Sequence, residues 1–433
     1  MINRASSIKE NILILPQVLI ILLPAFLISG ALLTDLAVSI CAVFFFFYYK
    51  EKLIQKIIYS KRFIFFIFFY LFLLIASIFA EDKFLSLKNA FFYFRFGLFS
   101  IFFYFLISKD IKILGKIFIS LLFCYVCLFV DGIYQFFNGQ NLFNAKIILV
   151  GRVSSFFGDE LIMGSYLSRL YPLVIGLYSI VYFKYKYIKF QSILFFFFTL
   201  FTLILVLMSG ERTGFFFIFF SLFLILIFFN NFRKEKIIIL ISILIFLLIL
   251  LSNTRLNDRI IDRTLNVDLV SEKQLPIIVN KKKFNIFTEA HEKIFRTGFY
   301  IFINNPIIGV GPKNFRIACK KKIYDTSEFS CTNHPHNTYL QLLSETGIIG
   351  FLIVFFVMLF IIFLLIKSLY LRMRYNQFFL NNLQISLLIC LTISLFPLSP
   401  SGSFFNNWLS SIYYYPVGIL IWSFTNKTNY LKK

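Results

Sequence analysis

The chain has 433 residues, of which 59% are hydrophobic and only 15% are charged. A soluble chain of this length carries roughly a quarter charged residues, so the composition excludes a soluble enzyme and indicates a membrane protein. The formal charge of +23 would suggest nucleic-acid binding in a soluble domain. Here most basic residues flank apolar runs, which is the topology signal of a membrane protein, so no nucleic-acid partner is expected.

Twelve apolar stretches approach the roughly 20 residues that cross about 30 Å of hydrocarbon. They predict an all-α polytopic membrane protein with about 12 transmembrane helices. Helices 1–9 fall in residues 1–252, a large outer loop with short helices falls in 253–337, and helices 10–12 fall in 338–433. The first stretch also resembles a signal peptide, but a second follows at once and favours a helical hairpin. The stretches are residues 11–29, 31–49, 62–80, 89–107, 113–137, 160–183, 190–208, 214–229, 236–252, 345–366, 383–399 and 407–424.

The composition and the loops add two further predictions. The 64 Phe residues are interpreted as side chains that face lipid. Loops on the side of the N-terminus hold 22 Lys and Arg, whereas the short loops on the other side hold five. The positive-inside bias therefore predicts that both termini are cytoplasmic. Residues 253–337 hold 14 Lys and Arg against eight Asp and Glu, which indicates an anionic partner outside. The alternative is a solvated basic loop near anionic lipid headgroups.

Two of the six cysteines, Cys319 and Cys331, lie in the outer loop. In a bacterial inner membrane this loop would face an oxidising compartment, and a disulfide between the two is left open. Cys124 and Cys127 have CxxC spacing but lie within an apolar helix, without a second pair or a His. They are therefore interpreted as packing residues, and no metal site is predicted.

The segment HPHNTYLQLLSETGIIG, residues 334–350, is the densest polar motif and lies where the outer loop re-enters the membrane. A neutral imidazole accepts a proton near physiological pH, so His336 at the mouth of a membrane cavity is a candidate general base. If the helix starts after Pro335, Glu345 lies about 180° around the axis from His336. Glu345 is then not expected to orient His336 directly.

Three arginines in separate outer segments could form a diphosphate clamp, because a guanidinium stays charged and binds phosphate oxygens in a fork. Arg296 is predicted to open a short surface helix that ends at residues 304–306. The GVGPKNF segment that follows lacks a nucleotide fingerprint and is interpreted as a turn. Arg212 lies in GERTG and Arg152 in GRVSSFFGDE. The alternatives are an ion pair of Arg212 with Glu211, and an interfacial role for Arg152.

With these features the sequence resembles the O-antigen ligase and polymerase superfamily, bacterial membrane proteins that act on polyprenyl-diphosphate-linked glycans at the periplasmic face. About twelve spans, a large loop before the tenth, GVGPKNF, and His336-Asn337 followed by nine residues to Gly347 carry the resemblance. It implies that Arg212 and Arg296 bind the diphosphate and that the motif histidine, His336, acts as base. His334 is a departure from the family pattern. Further candidates for substrate binding are Arg152, Asn337 and His334.

The resemblance implies a GT-C-like, inverting, metal-independent glycosyltransferase of the bacterial inner membrane that uses no cofactor. Its donor would be a glycan on a polyprenyl carrier such as undecaprenyl diphosphate. The acceptor would be lipid A-core for a ligase, or a second lipid-linked repeat unit for a polymerase. The spacing after His336 favours the ligase. The remaining alternatives are a protein O-oligosaccharyltransferase and a solute transporter; the latter requires paired broken helices and a midplane site, whereas the charged motifs here cluster outside.

Overall fold

The computed structural model describes residues 12–149, 152–184, 190–252, 289–324 and 330–425. Residues 253–288 of the predicted outer loop lie outside this set, as do both termini, whose cytoplasmic placement stays a prediction. Among the described residues the chain is helical, and the only extended pairing is an isolated bridge between Gln140 and Lys146.

The helices of the described residues are, in chain order, α1 (Ile14–Ser29), α2 (Ala31–Tyr48), α3 (Lys52–Ile58), α4 (Lys61–Ile78), α5 (Lys83–Phe91), α6 (Phe94–Lys109), α7 (Lys112–Asn138), α8 (Met163–Lys184), α9 (Gln191–Ser209), α10 (Arg212–Phe228), α11 (Arg233–Ser252), α12 (Glu289–Asn304), α13 (Phe315–Ala318), α14 (Thr338–Tyr375), α15 (Asn382–Ser394) and α16 (Asn407–Thr425).

Each of the twelve predicted spans coincides with one of these helices, because a long apolar run also has few helix breakers. Among the described residues, six stretches are long and apolar enough to cross a membrane: α2, α4, α5 together with α6, α7, α9 and α14. Helices α1, α10 and α15 are apolar but shorter. Twelve crossings therefore stay a prediction. Helix α15 ends at Ser394, short of the predicted residue 399, since Pro397 and Pro400 follow it.

The centre of the fold is built around α15, in which every residue is buried. Helix α15 packs against α8, α10 and α16, and α6 packs between α2 and α16. The interpretation of Phe as lipid-facing is wrong for α6, whose residues Phe102, Phe103 and Phe105 are fully buried. Because α6 has helices on two sides, its aromatic rings pack against them, as Phe103 does against Tyr415. Phe47 of α2 remains 75% exposed, as expected for a side chain that faces lipid.

Turns that the charge pattern assigns to the outer side meet at one end of the helices. The backbone N–H of Asp82 donates to Asn314 Oδ1 at 2.9 Å. Arg152 Nε donates to the carbonyl oxygen of Ser209 at 3.3 Å. These contacts join segments far apart in sequence. They are the contacts expected if the loops lie on the same side of a membrane.

The opposite end of the bundle is organised by Arg372, near the end of α14. Its guanidinium donates to the carbonyl oxygens of Ile227, Phe228 and Phe229 and to Asn230 Oδ1, at distances between 2.6 and 2.9 Å. These carbonyls belong to the last turn of α10 and the residues after it, where helix oxygens lack partners within the helix. The arginine therefore fixes the end of α14 to the end of α10, at the end predicted to be cytoplasmic.

Helix α12 begins at Glu289, earlier than the predicted start at Arg296, because residues 289–295 contain the helix formers Ala, Glu and Lys. It ends at Asn304, just before Asn305 and Pro306, as predicted. Helix α12 packs against α14. The predicted surface helix is therefore held against the helix that follows the histidine motif.

Candidate active site

The position of His336 is determined by backbone contacts on both of its sides. His336 has a positive φ of 51°, a conformation that His adopts more readily than most residues. Its carbonyl oxygen accepts from the backbone N–H of Ser401 at 2.8 Å. The next residue, Asn337, caps α14 by accepting from the backbone N–H groups of Tyr339 and Leu340. The imidazole of His336 is therefore presented immediately before the first turn of α14.

Asn337 also ties the start of α14 to the segment between α15 and α16. Its amide nitrogen donates to the carbonyl oxygen of Pro397 at 2.7 Å. Thr338 and Ser401 share a hydrogen bond at 2.8 Å. The structure thus gives Asn337 a capping and anchoring role, and its predicted role in binding substrate stays a prediction.

All three histidines of the chain lie together, although only His334 and His336 are neighbours in sequence. The ring centroids of His334 and His336 are 4.2 Å apart, and those of His291 and His336 are 5.6 Å apart. His336 thus contacts both other rings. Among the described residues, no three His, Cys, Asp or Glu side chains are arranged to hold a metal ion.

Burial lowers the pKa of all three imidazoles below the ordinary value for His. It lowers the pKa of His334 to about 4, with His336, Arg316 and Lys313 acting in the same direction and a hydrogen bond to the Ser401 backbone opposing them. The pKa of His336 is lowered by burial alone. A cluster of neutral imidazoles at pH 7 can accept protons, which is the requirement for a general base.

Helix α12 presents His291, and not Arg296, to the histidine cluster. The two residues are five positions apart, so their side chains point about 140° apart around the helix. Arg296 is exposed and its guanidinium forms an ion pair with Glu292 at 3.2 Å. His291 instead contacts His336 and lies near Arg212, whose charge contributes to lowering the pKa of His291 after burial and His336. The prediction that Arg296 binds a diphosphate is untested by this arrangement.

Arg212 is the first residue of α10, and the turn before it is fixed by its neighbours. The carboxylate of Glu211 accepts from the backbone N–H of Gly164 at 2.6 Å and from that of Ser165 at 3.1 Å, at the start of α8. Arg152 donates to carbonyl oxygens on both sides of this junction, at Ser209 and Leu161. Arg152 therefore joins the loop before α8 to the turn that carries Arg212.

The glycine turn upstream crosses α14 at very close range at Gly347, where non-helical backbone angles kink the helix nine residues after its start. A Cβ atom on Gly347 would overlap with the backbone of Ile307, and one on Gly309 would overlap with the backbone of Glu345. Both glycines have positive φ, of 63° and 68°. Glycine satisfies both requirements because it has no Cβ. The GVG sequence at residues 309–311 and the TG sequence at residues 346–347 are therefore the two segments that cross.

Glu345, which lies at this crossing, binds the segment that follows the glycine turn. Its Oε1 accepts from the backbone N–H of Phe315 at 3.2 Å, and its Oε2 accepts from Gln341 Nε2 at 2.9 Å. Gln341 also donates to Ser403 Oγ at 2.9 Å. Glu345 is thus hydrogen-bonded to Phe315 and Gln341 and not to His336, in agreement with the expectation that Glu345 does not orient His336. It holds the backbone immediately before Arg316, which follows Phe315.

Sequence reasoning missed three basic groups at the site. His291 lies in the cluster itself, and Arg316 and Lys320 line a cleft next to His334. The available signal for Arg316 was its position directly after the GVGPKNF turn. For His291 the signal was its helical spacing from Phe295, which its ring contacts.

A known protein family matches the part of the chain that contains this site. Residues 196–355 match the family model described as O-Antigen ligase. The matched segment includes Arg212, His291, the glycine turn and the histidine motif, whereas Arg152 lies before it. No curated protein matches the chain. The match supports the O-antigen ligase superfamily and confirms the resemblance drawn from the motifs. It also supports a glycosyltransferase-like activity of the ligase or polymerase type.

Proposed function

From the O-antigen ligase match and the basic, imidazole-lined site at one end of the bundle, we propose that this protein is an O-antigen ligase-like glycosyltransferase. It transfers a glycan from a polyprenyl diphosphate carrier to a sugar hydroxyl of lipid A-core. The reaction takes place at the periplasmic face of the bacterial inner membrane. One observation carries the proposal: the imidazole of His336 packs against His291 and His334 and lines a cleft with Arg316 and Lys320 where the outer loops meet.

His336 acts as the general base. Since its pKa is lowered by burial, the imidazole is neutral at pH 7 and can take the proton of the acceptor hydroxyl as that oxygen attacks the anomeric carbon. Base catalysis of this kind contributes a rate factor of roughly 100 to 10,000. His334 lies beside His336 and binds the substrate, while Asn337 fixes the backbone that carries the base.

Arg212 binds the diphosphate leaving group. As the first residue of α10 it adds a guanidinium to a helix N-terminus, where backbone N–H groups already favour anions. Stabilising the charge that develops on the departing diphosphate contributes a factor on the order of 100 to 1,000. Arg152 holds the turn before Arg212 and belongs to the same clamp. Arg296 is retained as a candidate clamp residue, although reaching a diphosphate requires it to leave Glu292.

The same arrangement supports an inverting, metal-independent reaction. A single displacement, with one base on the nucleophile and cations on the leaving group, inverts the anomeric carbon. In this proposal arginine neutralises the diphosphate. No covalent glycosyl-enzyme is required, because the acceptor hydroxyl is itself the nucleophile.

A polymerase that joins two lipid-linked repeat units is the second candidate. The basic site would suit it equally, since its acceptor also carries a diphosphate. The spacing from His336 to Gly347 favours the ligase. Lipopolysaccharide banding in a deletion strain separates the two: loss of all long-chain bands indicates either enzyme, and core that carries one repeat unit selects the polymerase.

The role of His336 is tested with His336→Ala and His336→Asn in cells that lack the wild-type copy. Asn removes the basic imidazole but accepts positive φ, so it preserves the backbone better than Ala. We expect both variants to reach the membrane at wild-type levels and to lose the lipopolysaccharide ladder. A normal ladder with either variant would refute the role of His336 as base.

The arginine assignments are tested by Arg212→Gln and Arg296→Gln under the same conditions. Loss of the ladder with Arg212→Gln is expected because the substitution removes the positive charge at the start of α10 that binds the diphosphate. Arg296 lies on the side of α12 that faces away from the histidine cluster. Its substitution therefore tests whether Arg296 takes part in binding the diphosphate. A wild-type ladder with Arg296→Gln would remove Arg296 from the clamp and leave Arg212 in place.

A further inference from the structure

A cleft of about 530 Å³ lies next to the histidine cluster, on the side of His334. The described residues that line it fall in 316–320 and 331–336, and none of them belongs to a membrane-spanning helix. This volume is within the range of pockets that bind small ligands, roughly 300–1,000 Å³. The lining residues are Arg316, Ile317, Lys320, Cys331, Thr332, Asn333, His334 and His336.

Arg316 and His334, which both line the cleft, each have a buried side-chain nitrogen without a hydrogen-bond partner, Nε of Arg316 and Nε2 of His334. Leaving a buried polar group unpaired costs about 1–3 kcal/mol, and more when the group is charged. An anion bound in the cleft would contact both of these side chains and could pair with the Arg316 guanidinium. Among the described residues that line the cleft there is no carboxylate, and Lys320 places a second positive charge at its exposed edge.

The walls of the cleft are suited to a sugar and not to a lipid chain. Thr332 and Asn333 contribute polar groups. Cys331 also lines the cleft, and it forms a disulfide with Cys319, a pairing that the sequence left open. An isoprenoid instead requires contact with the hydrocarbon layer. Helix α10, which begins at Arg212, provides that contact further along its length, since its Phe223 is 55% exposed. The donor and a second glycan therefore have separate places at the site.

His336 determines which glycan belongs in the cleft. The hydroxyl that loses its proton must lie within about 2.6–3.2 Å of the base, and this hydroxyl belongs to the acceptor. Because His336 itself lines the cleft, a sugar bound there brings its hydroxyl groups to the imidazole.

We propose that the cleft bounded by Arg316, Lys320 and His334 binds an anionic sugar of the acceptor glycan, one that carries a phosphate or a carboxylate. The fork of Arg316 receives the anion, Lys320 adds charge at the entrance, and His334 donates or accepts at a neighbouring oxygen. This inference rests on the proposed function and assigns it a subsite for the acceptor.

The test uses the purified full-length protein in lipid nanodiscs with a polyprenyl-diphosphate donor. Arg316→Gln and Lys320→Gln each remove one charge from the cleft. Lys322→Gln is the matched control, because it removes the same charge from an exposed residue of the same segment outside the cleft. The acceptor is supplied in its native form and after removal of its phosphates by phosphatase or reduction of its carboxylates to alcohols.

We expect Arg316→Gln to raise KM for the native acceptor on the order of 10- to 100-fold, the loss of a hydrogen bond to a charged group. Lys320→Gln should raise it less, because that side chain is exposed. With the neutralised acceptor, wild type and Arg316→Gln should have similar KM values, since the shared interaction is already absent. KM for the donor and the values for Lys322→Gln should not change.

Unchanged acceptor KM in both Arg316→Gln and Lys320→Gln would overturn the proposal. A rise in donor KM alone would also overturn it, and would place an anionic sugar of the donor glycan in the cleft. If Arg316→Gln does not fold, as judged by its thermal midpoint, Lys320→Gln decides the question. Failure of the proposed function is distinguishable, because wild-type protein would then transfer no glycan from the donor at all.

Discussion

Gly347→Ala tests whether the backbone crossing at the kink of α14 holds the active site together. A Cβ atom at this position would lie within 3.0 Å of the backbone of Ile307 and Ile308, a separation that real Cβ atoms do not show. These are backbone atoms, so no side chain can rotate away. Alanine would also have to adopt the φ of 63° that glycine has here.

The two effects can be added as an estimate. With φ 63° and ψ −166°, Gly347 lies in a backbone region that essentially only glycine adopts, which costs another residue about 1–3 kcal/mol, and overpacking a close contact costs about 1–3 kcal/mol. We therefore expect Gly347→Ala to destabilise the site by about 2–6 kcal/mol. The crossing would open, and Glu345 would lose its hold on the N–H of Phe315, which positions Arg316.

The assay is the thermal midpoint in detergent together with glycan transfer by the same preparation. Gly402→Ala is the matched control at the same end of the bundle, since an added Cβ there meets only Leu409, at an ordinary 3.7 Å. We expect a lower midpoint and loss of transfer for Gly347→Ala and little change for Gly402→Ala. Wild-type midpoint and transfer in Gly347→Ala would show that the crossing is not needed.

Two further predictions concern pH and the disulfide. Burial lowers the pKa of His336 below 6.5, so the imidazole stays neutral, and able to accept a proton, further into acid than free histidine. We expect kcat/KM for transfer to decline only below pH 6.5, and an acid limb centred above that value would contradict the assignment. The disulfide between Cys319 and Cys331 closes a loop of sequence separation 12, which is worth about 3 kcal/mol for a loop of similar length. The double Cys→Ser variant should therefore be cut by trypsin faster at Lys320 than the oxidised protein, and equal rates would argue against a stabilising role.

The sequence predicted much of the fold and part of the site. Hydropathy is summed over neighbouring residues, so each long apolar run located a helix, although a run does not reveal whether its helix crosses the membrane. The histidine motif was recognisable because its polar residues and Pro335 interrupt an apolar region. The charge pattern assigned several loops to the outer side, and in the structure these loops contact one another at one end of the bundle.

Tertiary structure decided which side chains meet. Helix α12 carries both His291 and Arg296, and only its packing against α14 determined that His291 contacts His336. The segment that leads to Arg316 passes α14 at a close crossing that Gly309 and Gly347 make possible. A sequence pattern fixes positions along one helix or turn. The rotation of a helix and the meeting of distant segments depend on close packing over the whole molecule, which no local pattern contains.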